Sequence, residues 1–481
     1  MSPQAAMHSS YQSSALVNHQ ANGKRRPRKS QIADRWQKTC CKCLEPVVRA
    51  AFPVIMLVSA EGRSKLETIE AAEPASIGDT HVDETLLREL ALKILFLGGE
   101  LSLTDLADRM CLSLDVIEEI FQFFRQEQLC EVKKMEFGTH VIVASAAGKE
   151  RAAALLAYSC YAGPAPVSLK DYSERIAAQS VQKTAVHQQD LTRAFENLVL
   201  DEDLVARLGT AVVSGTSVFL YGPPGSGKTT IACNIPSIFG DFVLIPHAIE
   251  VDRQVIAVYD PGVHQQVSVP QPDEWDRRWV VCRRPRVVAG GELSAEMLDL
   301  HSDVRTCFLT APLQLKANNG ILVLDDFGRQ RMRPDELLNR WMTPLDRRMD
   351  FLTLPGGKKF EIPFDVLVVF STNLDPRTLA DEAFLRRIPN KVHLGHATPK
   401  QFAEIFYREC ATRNLPCEAG LGEYAADLIR NEMKQSLSQS HIRDLVNQVA
   451  WAASYRGVEP QMTRETLRQA CHNYFLPVKT E

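Results

Sequence analysis

The eight residues Gly222-Pro-Pro-Gly-Ser-Gly-Lys-Thr229 constrain this chain more than anything else in it. They fit the pattern G-x-x-x-x-G-K-[ST] without a gap, the signature of a loop that wraps a phosphate. The apolar run Val218-Phe-Leu-Tyr221 ahead of them reads as a strand. Thr230-Ile-Ala-Cys-Asn234 behind them reads as the first turns of a helix. That context separates the motif from a glycine-rich turn that merely holds a lysine. Glycines let the backbone curl so that successive N–H groups and the helix N-terminus face an anion. The candidate nucleotide contacts are therefore Gly222, Pro223, Pro224, Gly225, Ser226, Gly227, Lys228, Thr229 and Thr230. In this pattern Lys228 bridges the β- and γ-phosphates and the Thr229 hydroxyl ligates Mg²⁺.

The chain has 481 residues, room for about three domains. Hydrophobic residues make up 45% and charged residues 24%, the balance of a soluble globular protein. A net charge of −4 gives no global electrostatic case for nucleic-acid binding. Twelve cysteines are too few for a disulfide scaffold, and most, such as Cys233 and Cys307, sit singly in apolar patterns. With a nucleotide site, that predicts a reducing, cytoplasmic location. No stretch reaches the 18 or so apolar residues that span a bilayer. The apolar run from Ala50 to Val58 is short, holds Pro53, and follows too long a segment for a secretory signal.

Residues 1–80 carry little fold information and are expected to be a disordered or mis-called tail. Residues 1–30 are rich in Ser, Gln and Asn and end in the basic run Lys24-Arg-Arg-Pro-Arg-Lys29, which reads as part of a solvated tail. Cys40, Cys41 and Cys43 lie close together without a second Cys/His pair at zinc-finger spacing. A native start downstream, for example at Met56, would make this segment a gene-calling extension.

Residues 81–160 read as a small domain. Leu86, Leu87, Leu90, Ile94 and Leu97 recur at helical spacing, and Gly98-Gly99 stops the helix. Ser102-Leu-Thr-Asp105 begins a second helix, and Ser113 with Asp115 or Glu118 caps a third, running to about Gln128. Leu129–Glu136 and His140–Ala144 read as two strands, and Ala152–Ala157 as a closing helix. Three helices followed by a hairpin resemble a winged helix. Its third helix would enter a DNA groove. Its polar positions are Asp115, Glu118, Glu119, Gln122, Arg125, Gln126 and Glu127, and phosphate repels that acidic set. Protein docking is the favoured role and DNA reading the alternative. Gly163-Pro-Ala-Pro166 marks a linker over 161–184.

Ile321-Leu-Val-Leu-Asp-Asp326 is an apolar strand ending in two carboxylates. Asp325 is placed to hold Mg²⁺ and Asp326 to polarise an attacking water. Phe364–Asn373 is a second apolar strand, ending in the neutral amide of Asn373, suited to orienting that water. Arg386 and Arg387 follow in Ala383-Phe-Leu-Arg-Arg-Ile388, and Arg443 lies on an amphipathic helix in an all-helical C-terminal region.

In this order, these motifs resemble an AAA+ ATPase over roughly residues 185–475. The resemblance implies an α/β fold with a P-loop parallel sheet over 185–395, a helical lid over 396–481, and the winged-helix-like domain ahead of them. It implies Walker A at Gly222–Thr229, Walker B at Asp325–Asp326, sensor 1 at Asn373, sensor 2 at Arg443, and an arginine finger at Arg386 or Arg387. ATP and Mg²⁺ are the implied cofactors, and a ring, usually a homo-hexamer, the implied assembly, because such a finger acts on the neighbour's nucleotide. Asn318–Gly328 and the hairpin-like Met349–Pro363 look like MoxR-type chaperone ATPases and enhancer-binding activators. A Gly-Ala-Phe-Thr-Gly-Ala loop is missing from the sequence, which argues against a sigma-factor remodeller.

Two departures stand out. The family's second Walker B carboxylate is usually Glu, whereas Asp326 is one methylene, about 1.5 Å, shorter. The interval before Walker B is long and holds Trp275-Asp-Arg-Arg-Trp-Val-Val-Cys-Arg-Arg-Pro-Arg286, either a structural insert with its own core or a surface that stacks on bases or grips a peptide. Tyr259-Asp-Pro-Gly262 is a pore-loop candidate. The leading expectation is an ATPase that remodels an unidentified protein client or adaptor. The alternatives are a DNA-associated regulator and a slow-hydrolysing nucleotide switch.

Overall fold

The computed structural model describes residues 71–136, 138–268, 275–302 and 308–476. The basic run Lys24–Lys29, the cysteines Cys40, Cys41 and Cys43, Cys307, and the start proposed at Met56 lie outside the described residues. Five strands form the central sheet in the order Arg286–Ala289, Gly320–Leu324, Val366–Thr372, Val218–Tyr221, Asn390–His393. Every neighbouring pair is parallel. Side chains alternate across a strand. Val218, Leu220, Ile321, Val323, Leu367 and Val369 therefore face one layer, with Leu208 and Val212 of the Glu202–Val213 helix. Phe219, Leu322, Leu324, Val368 and Phe370 face the other, with Leu337, Leu338 and Trp341 of the Pro334–Arg347 helix. A parallel sheet covered on both sides needs strands that are apolar throughout, which is why these segments read as unbroken hydrophobic runs. Phe370 anchors the second layer, 5.1 Å from both Phe219 and Phe327. Both neighbours of the Val218–Tyr221 strand come from much later in the chain, which opens a crevice at its carboxyl end.

The long interval before Asp325 is a built insert. Phe242–Pro246 pairs antiparallel with Trp279–Arg283. A second sheet runs His301–Ser302, Leu309–Thr310, Gln254–Ala257, Ala248–Val251, Val167–Ser168. The hairpin Met349–Thr353/Lys359–Pro363 sends Leu352, Phe360 and Ile362 into the same core. Trp275 and Trp279 are each only 6% exposed in that core, so the Trp-Arg segment is structural and its rings are not free to stack on bases. Arg277, Arg278 and Arg284 of this segment are used internally. Arg278 is buried, pairs with Asp276 at 2.9 Å, and donates to the carbonyls of Thr80 and Pro166. Arg284 pairs with Asp241 at 2.7 Å. Tyr259 is packed between His247 and His264, and Asp260 pairs with Lys316, so the pore-loop candidate is a tethered turn.

The N-terminal helices are Glu84–Gly98, Leu103–Met110 and Leu114–Gln126. Asp83 caps the first, Ser102 and Asp105 form a capping box on the second, and Ser113 caps the third through Val116. The strands form a three-stranded antiparallel sheet in the order Glu100–Ser102, Thr139–Ala144, Cys130–Glu136. The first of these is too short to show alternation in sequence. This unit is fastened to the insert. Ala248 and Val255 join its core, and Arg277 reaches Asp108 at 2.7 Å, Glu73 at 3.4 Å and the Leu112 carbonyl.

Two expected boundaries need correction. Ile77 and Thr80 are buried and Ala72 bridges Trp275, so residues 72–80, expected within the tail, are part of the fold. Residues 161–184 are not an open linker. Val167 pairs with Ile249, and Tyr172 and Ile176, four apart on the Leu169–Ala178 helix, are buried in the insert's core. Ala165 is also buried, and its N–H donates to the Met110 carbonyl at 2.7 Å. The C-terminal helices Pro399–Thr412, Leu421–Asp427, Gln439–Arg456 and Arg464–Tyr474 pack on Phe402, Phe406, Leu445 and Val449. No helix among the described residues is long and apolar enough to cross a membrane.

Candidate functional site

The glycine-rich loop leaves the Val218–Tyr221 strand at its carboxyl end and enters the Lys228–Asn234 helix. Gly222, Gly225 and Gly227 have φ of 146°, 71° and 87°. L side chains rarely adopt such angles. Close approach reinforces the requirement at Gly222, where a Cβ would lie 2.0 Å from the Leu394 carbonyl oxygen. Lys228 is 6% exposed, and its Nζ donates to the carbonyls of Gly222 at 3.0 Å and Pro223 at 2.7 Å. Burial pulls its pKa below the ordinary lysine value, opposed by the charges of Asp325 and Asp326. Its ammonium thus rests on neutral oxygens that an anionic ligand can outcompete.

Asp325 ends the Gly320–Leu324 strand, and its N–H donates to Ala289 on the next strand. Two hydroxyls converge on its carboxylate. Thr229 Oγ1 donates at 2.8 Å to Oδ2, and Ser371 Oγ donates at 2.7 Å to Oδ1. Ser371 is fully buried within the Val366–Thr372 strand. Asp326 takes a left-handed conformation, φ 49°, which Asp tolerates better than most residues. Asn373 Nδ2 donates to its Oδ1 at 3.1 Å. Thr229, Asp325, Asp326 and Asn373, drawn from strand ends and one helix start, therefore form one constellation.

These residues line a cleft of about 500 Å³ together with Lys228, Thr230 and Arg443. Arg443 enters from the Gln439–Arg456 helix, and its side chain is 67% exposed. The far wall is made by Asn197–Leu200 and by Ile405 and Arg408 of the Pro399–Thr412 helix, none of which carries a sequence motif. Arg408 is held by the Glu196 carbonyl at 3.0 Å. Ser371 stands two residues before Asn373 in the sequence, but its role needed the neighbouring strand to be placed. The arginine pair is not brought to this cleft. Arg386 is exposed, 76%, and pairs with Glu382 at 2.8 Å. Arg387 Nε binds Asp346 at 2.7 Å, and its Nη1 donates to the Ala383 carbonyl.

A glycine cradle, a partly desolvated lysine, and a hydroxyl beside a carboxylate fit a nucleotide triphosphate and a divalent cation. The parallel sheet, the glycine-rich loop at its crevice, and the carboxylate and amide strand ends beside the C-terminal helices make this an α/β fold with a P-loop parallel sheet. A family described as a domain of unknown function (DUF8689) matches residues 398–473, the C-terminal helices. Comparison with curated protein sequences finds no match. Among solved structures, the chain is similar to a proline-to-glycine mutant of Thermotoga maritima RuvB, at 13% identity over 61% of this chain and 72% of that one, with a TM-score of 0.34. It is also similar to the Thermotoga maritima RuvB Holliday junction branch migration motor, at 16% identity over 60% and 70%, TM-score 0.34. NtrX from Brucella abortus is 13% identical over 57% of this chain and 56% of its own, TM-score 0.37.

Proposed function

We propose that this chain is an ATPase that binds and hydrolyses ATP with Mg²⁺ and uses the cycle to remodel a protein partner. The observation that carries the reading is the convergence of Lys228, Thr229, Asp325, Asp326 and Asn373 in one cleft beneath a helical lid. Lys228 exchanges its loop carbonyls for phosphate oxygens. Thr229 and Asp325 would hold the metal, and Ser371 fixes the Asp325 carboxylate. Mg²⁺, when bound, neutralises phosphate charge. Asp326 accepts a proton from the attacking water while Asn373 orients both. Arg443 adds positive charge from the lid.

Arg386, exposed and outside its own chain's cleft, suits a finger that completes a neighbour's site in a homo-hexameric ring, whereas Arg387 is bound to Asp346 of its own chain. The N-terminal unit docks the client or adaptor. The exposed positions of its third helix include Asp115, Glu118, Glu119, Gln122, Arg125 and Gln126, acidic on balance, which disfavours DNA. The buried cysteines Cys130, Cys282, Cys410 and Cys471 are free thiols, in keeping with a cytoplasmic protein. A second reading, a nucleotide switch with slow turnover, draws on Asp326, which is short and already bonded to Asn373.

ATP turnover of wild type, Lys228→Ala and Arg386→Ala, with size by light scattering, tests the proposal. Loss of turnover in each variant, with partial recovery on mixing them, is expected for a finger acting in trans. Turnover that survives Lys228→Ala would refute the site. Binding without turnover in wild type would favour the switch.

A further inference from the structure

We propose that Ser438 and Gln439 are positioning residues that latch the lid to the phosphate loop and set the direction of one of its peptide groups. The proposal rests on the reading of the cleft as an ATP site. Two lid donors converge on a single loop carbonyl. Ser438 Oγ lies 3.1 Å from the Gly225 oxygen, and the Gln439 N–H donates to the same oxygen at 3.0 Å. Ser438 is buried, and its hydroxyl also meets that of Ser440 at 2.8 Å. The fit is close. A Cβ on Gly225 would lie 2.0 Å from Ser438 Oγ and 2.4 Å from Ser440 Oγ, and one on Gly227 would lie 2.7 Å from Gln439 Oε1.

The peptide unit joining Gly225 to Ser226 is planar and trans, so its carbonyl and its N–H point in opposite directions. Lid donors that pin the carbonyl therefore turn the Ser226 N–H away from the lid. That N–H is one of the donors a phosphate loop of this pattern offers its anion. Glycine at 225, φ 71°, leaves this peptide free to rotate when unpinned. Lid position and phosphate affinity are thereby one coordinate. A lid that swings away releases the carbonyl and loosens the cradle, and a lid that closes preorganises it. Gln439 is the first residue of the Gln439–Arg456 helix, and Ser438 before it is extended, φ −98° and ψ 137°.

That placement allows a clean test. Proline is tolerated at the first position of a helix and favours an extended residue before it, so Gln439→Pro removes the N–H donor with little damage to the helix. Ser438→Ala removes the other donor, and Ser438→Thr retains it. Hydrogen exchange at Ser226–Thr229 is measured in nucleotide-free protein, and MgATP affinity with a fluorescent ATP analogue. In Ser438→Ala/Gln439→Pro, exchange at these amides should quicken and affinity should fall about tenfold, with the global melting temperature held to show an intact fold. Ser438→Thr should match wild type in both. Wild-type exchange in the double variant overturns the latch. Failure of wild type to bind MgATP overturns the ATP reading instead, while the exchange data still decide the latch.

Discussion

Ser371→Ala isolates the least conspicuous part of the site. Ser371 Oγ is buried and donates to Asp325 Oδ1 at 2.7 Å, and the same carboxylate receives Thr229 Oγ1. A hydrogen bond to a charged group contributes about 1.5–3 kcal/mol. Its loss leaves one lone-pair direction of a partly enclosed carboxylate unsatisfied and lets the group rotate. If Asp325 and Thr229 hold the metal, that energy comes out of metal affinity. The Mg²⁺ concentration for half-maximal turnover should then rise about tenfold to 150-fold. Mg²⁺-free nucleotide binding relies on the loop and Lys228 and should change less than about twofold. The assay is turnover across a MgCl₂ titration, paired with binding of a fluorescent nucleotide in chelator. An unchanged Mg²⁺ midpoint would refute the positioning role. An equal loss of Mg²⁺-free binding would show that the substitution acts through the fold of the loop.

Asp326→Glu restores about 1.5 Å of reach toward the water and should raise turnover; an equal or lower rate counts against Asp326 as the limiting group. Arg277→Ala severs the contacts to Asp108, Glu73 and the Leu112 carbonyl, and should lower stability by about 1–2 kcal/mol and speed proteolysis between the N-terminal unit and the insert, whereas a change below about 0.3 kcal/mol would mean the apolar contact suffices. Burial lowers the pKa of His247 to about 4. The unfolded chain then binds more protons than the native one between that value and about 6.5, so stability should fall by up to about 3 kcal/mol as pH drops through this window. In denaturant melts His247→Gln should flatten this pH dependence, and a slope equal to wild type would assign it to other groups.

The elements that carry the chemistry were legible because each is local. A strand buried on both faces must be a continuous apolar run, so Val218–Tyr221, Ile321–Leu324 and Val366–Thr372 announce themselves, and Asp325 and Asn373, which follow the last two, fall at the crevice. The glycine pattern of residues 222–229 follows from backbone angles that other residues resist. The three-helix order of the N-terminal unit was also readable, through Ser102, Ser113 and helical apolar spacing. The strand Glu100–Ser102 was not, since three residues cannot display a period.

What joins these elements was decided only in three dimensions. Ser438 meets the Gly225 carbonyl across 213 positions of chain, and Ser371 meets Asp325 across 46. Neither partner is implied by its neighbours in sequence, because serine is common and its hydroxyl takes whichever acceptor the packing supplies. The Trp275–Arg286 segment makes the same point. Its residue types suit base stacking as well as a core, and only the burial of Trp275 and Trp279, with Arg277 and Arg278 committed to the N-terminal unit, selects between them. Local periodicity determines which strands and helices form and which ends carry carboxylate, amide or lysine. Which of those ends face one another, and which surfaces are left free to meet a partner, is set by long-range contacts that the order of residues does not display.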